Sequence, residues 1–184
     1  PERTADESRF WSAWARHLAD PALRRSFAIG FLILFGFIGV FTYVGFVLML
    51  PPYALSMGAL GLVFLVFAPS MVTTPLAGRV TERFGPGVTV PASLALALAG
   101  LILLLAPNLL LVITGMALVG IGTFFAQAVA TGHVGRIAQG DKAAASGLYL
   151  SSYYCGGLAG AAPVGQLFVH SGWSADAGWV FGGL

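Results

Sequence analysis

Charged residues are scarce in this chain: nine Lys or Arg and seven Asp or Glu make up 9% of its 184 residues, against roughly 25% in an ordinary soluble domain. A soluble fold of this size would lack the polar side chains needed to cover its surface. A single cysteine, Cys155, excludes a disulfide scaffold. A net charge of +2 with no basic stripe argues against a nucleic-acid partner. Apolar residues reach 58%, so the sequence predicts an integral membrane protein with the lipid bilayer as its surroundings.

Three long stretches, 26–78, 84–135 and 143–175, carry no charge. One bilayer crossing needs about 20 apolar residues, so the first two stretches each predict two helices and the third predicts one. Pro51-Pro52 and Pro107-Asn108 mark the turns within the first two. The predicted spans are about 26–50, 55–77, 87–106, 108–134 and 144–169, followed by a truncated sixth over 176–184.

The basic residues all fall on one side of this predicted topology. Lys and Arg occur in the N-terminal segment, the second-to-third loop and the fourth-to-fifth loop, and the other loops have none. The positive-inside rule then predicts a multi-pass protein of the cell inner (plasma) membrane with a cytoplasmic N-terminal segment. Because the chain starts at Pro1 and stops within a sixth span, we expect it to be a fragment.

Residues 1–22 are predicted to form a cytoplasmic segment that precedes a transmembrane half-bundle over 23–184. Phe10, Trp14 and Leu18 recur at every fourth position, which predicts a short amphipathic helix over 8–19 on the membrane surface. The alternative is a linker with incidental aromatic residues.

The second-to-third loop carries a motif that reads GRVTERFG from Gly78 to Gly85. It resembles the G-x-x-x-[DE]-R-x-G signature of the major facilitator superfamily of transporters. Gly78 would let a neighbouring helix approach, and Gly85 permits the turn into the third span. Glu82 can meet a helix N-terminus or a basic partner, and Arg83 can pair with carboxylates or phosphates.

This resemblance implies a gate at the cytoplasmic surface. Arg136 ends the fourth span and is the expected partner of Glu82 when the cytoplasmic side is closed. The alternative is a solvated Glu82 that serves only topology, and Pro86-Gly87 in place of the family's usual basic residues favours that alternative.

Two further stretches, 124–139 and 146–173, resemble the fourth and fifth helices of the second half in the drug/proton-antiporter branch. The resemblance implies an all-α fold, namely the C-terminal half of a twelve-helix transporter built from 3+3 inverted repeats, with the N-terminal half of the same protein as its partner. It implies proton-coupled efflux of a small organic, amphipathic or drug-like substrate by alternating access, with no cofactor. The alternatives are an uncoupled facilitator and a non-transporting scaffold or receptor.

The family fold implies that the first, second, fourth and fifth spans line the substrate cavity. The polar and aromatic residues on three of these spans are the candidate cavity residues: Thr42, Tyr43 and Phe46, then Thr123, Gln127 and Thr131, then Tyr153 and Tyr154. The alternative is that these polar groups hold helices together. Small residues at every fourth position, such as Gly156–Gly160 and Gly122–Ala126–Ala130, predict close helix packing.

Catalysis and metal binding find little support in the sequence. His133 and His170 fall at opposite ends of predicted spans, so they cannot ligate one metal. No Asp, Glu, Lys or Arg lies within a predicted complete span, so we expect a proton-coupling carboxylate to lie in the N-terminal half.

Overall fold

The computed structural model describes the backbone of residues 2–182 and the side chains of residues 11–162. This part of the chain is helical, with two short 3₁₀ segments at Phe64–Phe67 and Thr74–Leu76. The α-helices are α1 (Glu2–Ala19), α2 (Pro21–Met49), α3 (Met57–Val63), α4 (Ala68–Thr73), α5 (Ala77–Phe84), α6 (Pro86–Leu104), α7 (Leu109–Ile137) and α8 (Lys142–Gly182).

The lengths and compositions of the helices confirm the prediction of an integral membrane protein. Among the residues that could be assessed, four helical stretches are long and apolar enough to cross a bilayer: Pro21–Met49, Met57–Phe84, Pro86–Leu104 and Leu109–Ile137. Local capping fixes two of their starts. Asp20 Oδ1 accepts from the backbone N–H of Ala22 at 2.8 Å, and Asn108 Oδ1 accepts from Leu110 N–H at 2.9 Å, which satisfies donors that a helix start leaves unpaired.

The second span is segmented. Residues 57–84 combine α3, α4 and α5 with the two 3₁₀ turns. Pro69 and Pro75 lie in this region, and each lacks the N–H that an α-helix would donate four residues back. We call residues 57–84 the segmented span.

Two predicted boundaries are wrong. The Gly78–Gly85 motif was expected to be a loop, but it forms the last turns of α5, and the helix ends only at Gly85 with φ of +78°. Gly85 N–H donates to Thr81 O at 2.8 Å, which closes the final turn. The break expected between 169 and 176 is also not seen, because α8 runs as one helix over Lys142–Gly182 and no proline lies after Pro163.

Glycines bring the helices together in two tight pairs. Cβ atoms added at Gly156 and Gly160 on α8 would collide with the backbone carbonyl oxygens of Phe31 and Phe35 on α2. A Cβ at Gly122 on α7 would lie 2.5 Å from Ser93 O on α6. The predicted small-residue packing is therefore confirmed for Gly156–Gly160 and at Gly122.

Each end of the bundle has its own apolar core. At one end, which we call the basic end, the α1–α2 and α7–α8 connections meet, since His17 Nε2 lies 2.8 Å from Asp141 O. The core there comprises Leu23, Phe27, Ala130, Val134, Ala138, Ala145, Leu148 and Tyr149. At the opposite end, Tyr53 Oη donates to Ala106 O at 3.4 Å, over a core of Phe41, Val44, Leu48, Val112, Met116 and Val119.

The N-terminal helix packs differently from the predicted stripe. Ala13 and His17 are buried, and Trp14 packs against the basic-end core. Trp11 and Leu18 remain exposed. One face of α1 is thus docked on the bundle at the α7–α8 connection, while a second, partly apolar face points outward.

Candidate functional site

A short hydrogen bond joins two helices in the basic-end half of the bundle. Tyr149 Oη on α8 donates to Gln127 Oε1 on α7 at 2.5 Å. Tyr149 is fully buried, and its ring packs on Gly30 of α2, where a Cβ would lie 2.7 Å from Tyr149 Cε2. Tyr149 was not among the predicted cavity residues, and no periodicity distinguishes it from its neighbours Tyr153 and Tyr154.

From Tyr149, two further tyrosines on α8 form a chain of ring contacts that reaches the surface of the helix. The rings of Tyr149 and Tyr153 are stacked, with centroids 6.5 Å apart and an interplanar angle of 19°. Tyr153 meets Tyr154 edge-on at 5.5 Å. Tyr153 is half-buried and Tyr154 is 62% exposed. We call Gln127, Tyr149, Tyr153 and Tyr154 the tyrosine ladder. It brings together three of the predicted cavity residues through one that was missed.

The two predicted threonines on α7 fall in different environments. Thr123 is buried, and its hydroxyl donates to Val119 O at 2.7 Å. Thr131 is exposed, and its hydroxyl donates to Gln127 O at 2.9 Å. Both hydroxyl donors are therefore used within α7, and Thr123 faces the helix interface rather than an open surface.

The predicted residues on α2 form a separate surface. Thr42 and Phe46 are exposed on one face, together with Phe35, and Tyr43 is half-buried beside them. Phe31 and Phe35 stack at 6.1 Å on the same helix. This face offers aromatic rings and two hydroxyl-bearing side chains, those of Thr42 and Tyr43.

An aromatic cluster that the sequence did not indicate fills the space between α2, the segmented span and α7. Phe37 lies 5.6 Å from Phe67 and 5.2 Å from Phe124, measured between ring centroids. Phe41 meets Phe67 edge-on at 4.7 Å. Aromatic pairs of this kind contribute about 0.5–1.5 kcal/mol beyond their buried area. The cluster ties the 3₁₀ segment at 64–67 to its neighbours.

The motif residues lie on the outside of α5. Gly78, Glu82 and Arg83 are exposed, and no atom approaches a Cβ added at Gly78 within 4 Å, so the close helix approach expected there is not seen. Arg83 Cζ lies 5.3 Å from the centroid of the Phe84 ring. Arg136 is exposed in the last turn of α7. Within the described side chains, no ion pair joins Glu82 to Arg136.

Two buried hydroxyls in the segmented span lack hydrogen-bond partners among the described residues: Ser70 Oγ and Thr81 Oγ1. Such groups are uncommon in folded proteins. Among the described residues, no group of three His, Cys, Asp or Glu side chains could hold a metal ion.

The apolar spans, their alternating connections and the glycine-packed helix pairs define a multi-pass α-helical membrane protein. Comparison with known proteins identifies its family. The chain is 36% identical over 165 residues to the inner membrane transport protein YnfM of Escherichia coli, covering 89% of this chain and 39% of that protein. It is 35% identical over 140 residues to an uncharacterised MFS-type transporter, YybF, of Bacillus subtilis, covering 76% of this chain and 35% of the relative.

A third relative, an uncharacterised transporter of Buchnera aphidicola, is 29% identical over 151 residues, which cover 82% of this chain and 37% of that protein. The chain belongs to the major facilitator superfamily of transporters. It spans little more than a third of the length of these relatives. No family model matches the chain, and no solved structure does.

Proposed function

We propose that this chain is the C-terminal half of a transporter that moves a small organic, amphipathic or drug-like solute across the inner membrane by alternating access. The proposed transport is efflux coupled to protons, as in the drug/proton-antiporter branch. The N-terminal half of the same protein would complete the cavity. The observation that carries the proposal is the tyrosine ladder, which leads from the half-buried Gln127 through the buried Tyr149 to the exposed ring of Tyr154.

The ladder has the chemistry that an amphipathic solute requires. Gln127 has two N–H donors besides the oxygen that accepts from Tyr149. Tyr153 and Tyr154 each present a flat ring that can pack against an apolar part of the solute and a hydroxyl that can hydrogen-bond to a polar part. The exposed face of α2, with Phe35, Thr42 and Phe46, adds a second aromatic wall. Mostly apolar walls with a few placed polar groups are typical of small-molecule sites.

Alternating access requires a part of the bundle that can rearrange, and the segmented span is our candidate. Its two 3₁₀ turns interrupt the regular hydrogen-bond ladder, and two of its buried hydroxyls lack partners among the described residues. At its end, Glu82 would pair with Arg136, or with a helix N-terminus of the other half, when the cytoplasmic side closes. An exposed pair contributes about 0–1 kcal/mol, and the upper end of that range shifts the populations of two states about fivefold.

The proton would be carried by a carboxylate of the N-terminal half. Among the helices assessed as membrane spans, the charged residues after Pro21 lie near the ends, such as Glu82 and Arg136 at the basic end. The positive-inside rule would place this end, with α1, in the cytoplasm.

The cavity assignment is tested in the full-length transporter with Gln127→Ala and Tyr43→Ala. We expect each variant to change the apparent substrate affinity roughly two- to tenfold, because one hydrogen bond or ring contact with the substrate is lost. Membrane abundance should stay near that of the parent, although Gln127→Ala also removes the acceptor of Tyr149 and should lower stability by about 0.6–1.7 kcal/mol. Thr114→Val is the matched control, since Thr114 is exposed on α7 toward the opposite end. Reduced abundance with unchanged affinity would indicate helix packing instead of substrate contact.

The gate is tested with Glu82→Gln and Arg136→Ala in a background where Cys155, the single cysteine of this chain, is replaced. Reporter cysteines at the basic ends of α2 and α7 should become more accessible in both variants. If accessibility and transport rate both match the parent, Glu82 serves topology alone.

The alternatives predict different outcomes of one transport assay. A scaffold or receptor moves no solute, and a facilitator moves solute without a dependence on the proton gradient. In liposomes, this chain without its N-terminal half is expected not to transport any solute. The helices that would form the other half of the proposed cavity are then absent, and lipid takes their place.

A further inference from the structure

A groove of about 340 Å³ lies between the segmented span, α6 and α7. Its walls include Leu76, Val80 and Phe84 from the segmented span, Val88 and Leu96 from α6, and Phe125 from α7. The groove is separate from the tyrosine ladder, none of whose residues lines it. Its volume falls in the range of small-ligand sites, about 300–1,000 Å³.

The walls of the groove suit hydrocarbon. Three residues of the lining have hydroxyl groups, and each hydroxyl donates to a carbonyl of its own span. Thr89 Oγ1 donates to Gly85 O at 2.7 Å, Ser93 Oγ to Thr89 O at 2.7 Å, and Thr73 Oγ1 to Ser70 O at 3.5 Å. With these donors used internally, an occupant gains mainly apolar contact.

The depth of the groove matches one leaflet of a bilayer. Along α6 the lining runs from Val88 to Leu96, which is about 12 Å at 1.5 Å per residue. Half of the hydrocarbon core of a bilayer is about 15 Å thick. Val88 lies close to the start of α6 at Pro86, so the groove begins at the basic end and reaches toward the middle of the membrane.

The exposed charges beside the mouth of the groove at the basic end are Arg79, Arg83 and Glu82, which together leave one net positive charge. Phe84 lines the groove, and Arg83 Cζ lies 5.3 Å from the centroid of that ring. Arg79 lies one turn earlier on α5 and is exposed like Arg83. Guanidinium groups bind phosphate oxygens in a two-pronged geometry. The position of these cations beside an apolar groove is complementary to a lipid with an anionic headgroup.

We propose that the groove binds one acyl chain of an anionic phospholipid from the leaflet at the basic end, with the headgroup phosphate on Arg83. The proposal requires only that the segmented span and α6 cross the membrane, and it is independent of which solute is transported. Because the lipid would contact both helices, it would hold the segmented span against α6.

The test uses the full-length protein in nanodiscs of phosphatidylglycerol and phosphatidylcholine, with a trace of either lipid bearing a photoreactive group in its acyl chain. After illumination, lipid adducts are located and counted by peptide mass spectrometry. With the phosphatidylglycerol probe, adducts on residues 73–96 should exceed those around Leu98 and Ile102, which are exposed on α6 outside the groove lining.

Two variants with matched controls distinguish the site for the lipid acyl chain from the site for the lipid headgroup. Ala92→Phe places a ring in the groove and should lower adducts on 73–96 severalfold, whereas Ala95→Phe, exposed on the same helix outside the lining, should not. Arg83→Gln should lower the phosphatidylglycerol adducts about fivefold relative to phosphatidylcholine. Lys142→Gln, which removes another exposed cation at the basic end, should leave that ratio unchanged.

The proposal is overturned if adducts spread evenly over the apolar helix faces, or if Ala92→Phe matches the parent. Ala92→Val, with a smaller intrusion, is measured in parallel, so that misfolding of the Phe variant does not decide the result. If the lipid adducts fall on helices of the N-terminal half while residues 73–96 remain unlabelled, the N-terminal half covers the groove, and the proposal is also refuted.

Discussion

Replacing Gly122 with alanine tests whether backbone contact holds α6 on α7. The added Cβ would lie 2.5 Å from Ser93 O, 2.8 Å from Ala97 N and 3.0 Å from Ala97 Cβ. Backbone atoms cannot rotate out of the way, so the two helices must separate by several tenths of an ångström. Gly132, ten residues further along α7, has no atom within 4 Å of the same added methyl group and is the matched control.

The two substitutions should have opposite effects on stability. Overpacking costs about 1–3 kcal/mol, partly offset by the gain of up to about 1 kcal/mol when alanine replaces glycine within a helix. Gly132→Ala receives only that gain. We expect Gly122→Ala to melt several degrees below the parent in detergent and Gly132→Ala to melt at or above it, measured on the full-length protein by fluorescence-detected size exclusion after heating. If Gly122→Ala is as stable as Gly132→Ala, the described α6–α7 contact is wrong.

Three further substitutions test individual contacts. Tyr149→Phe removes the donor to Gln127 and should lower stability by about 0.6–1.7 kcal/mol while altering substrate preference; unchanged preference would remove the ladder from the site. His17→Ala removes the contact with Asp141 O and should speed limited proteolysis within α1, and a digestion rate equal to the parent's would show that α1 docks without it. Gly85→Ala forces alanine into φ of +78° and ψ of 156°, a region nearly restricted to glycine, and should cost about 1–3 kcal/mol, whereas Gly87→Ala, with no close neighbour, should not destabilise the protein in the same melting assay.

Local features of the sequence predicted much of this architecture. Long uncharged stretches predicted the number of spans up to α7. A helix that crosses the membrane must form all its backbone hydrogen bonds internally and expose apolar side chains to lipid. The turns predicted at Pro51-Pro52 and Pro107-Asn108 lie between helices in the structure. Small residues four apart predicted the close approach at Gly156 and Gly160, since their spacing alone places them on one helix face.

The orientation of each helix about its axis was decided only by the tertiary structure. In a membrane, lipid and protein interior are both apolar, so hydropathy does not indicate which side of α8 turns inward. The sequence therefore could not distinguish Tyr149 from Tyr153 and Tyr154, although Tyr149 is fully buried and Tyr154 is exposed. The docking of α1 through His17 depends on the α7–α8 connection, more than 120 residues away in sequence. Such contacts come from packing between distant segments, which no local pattern records.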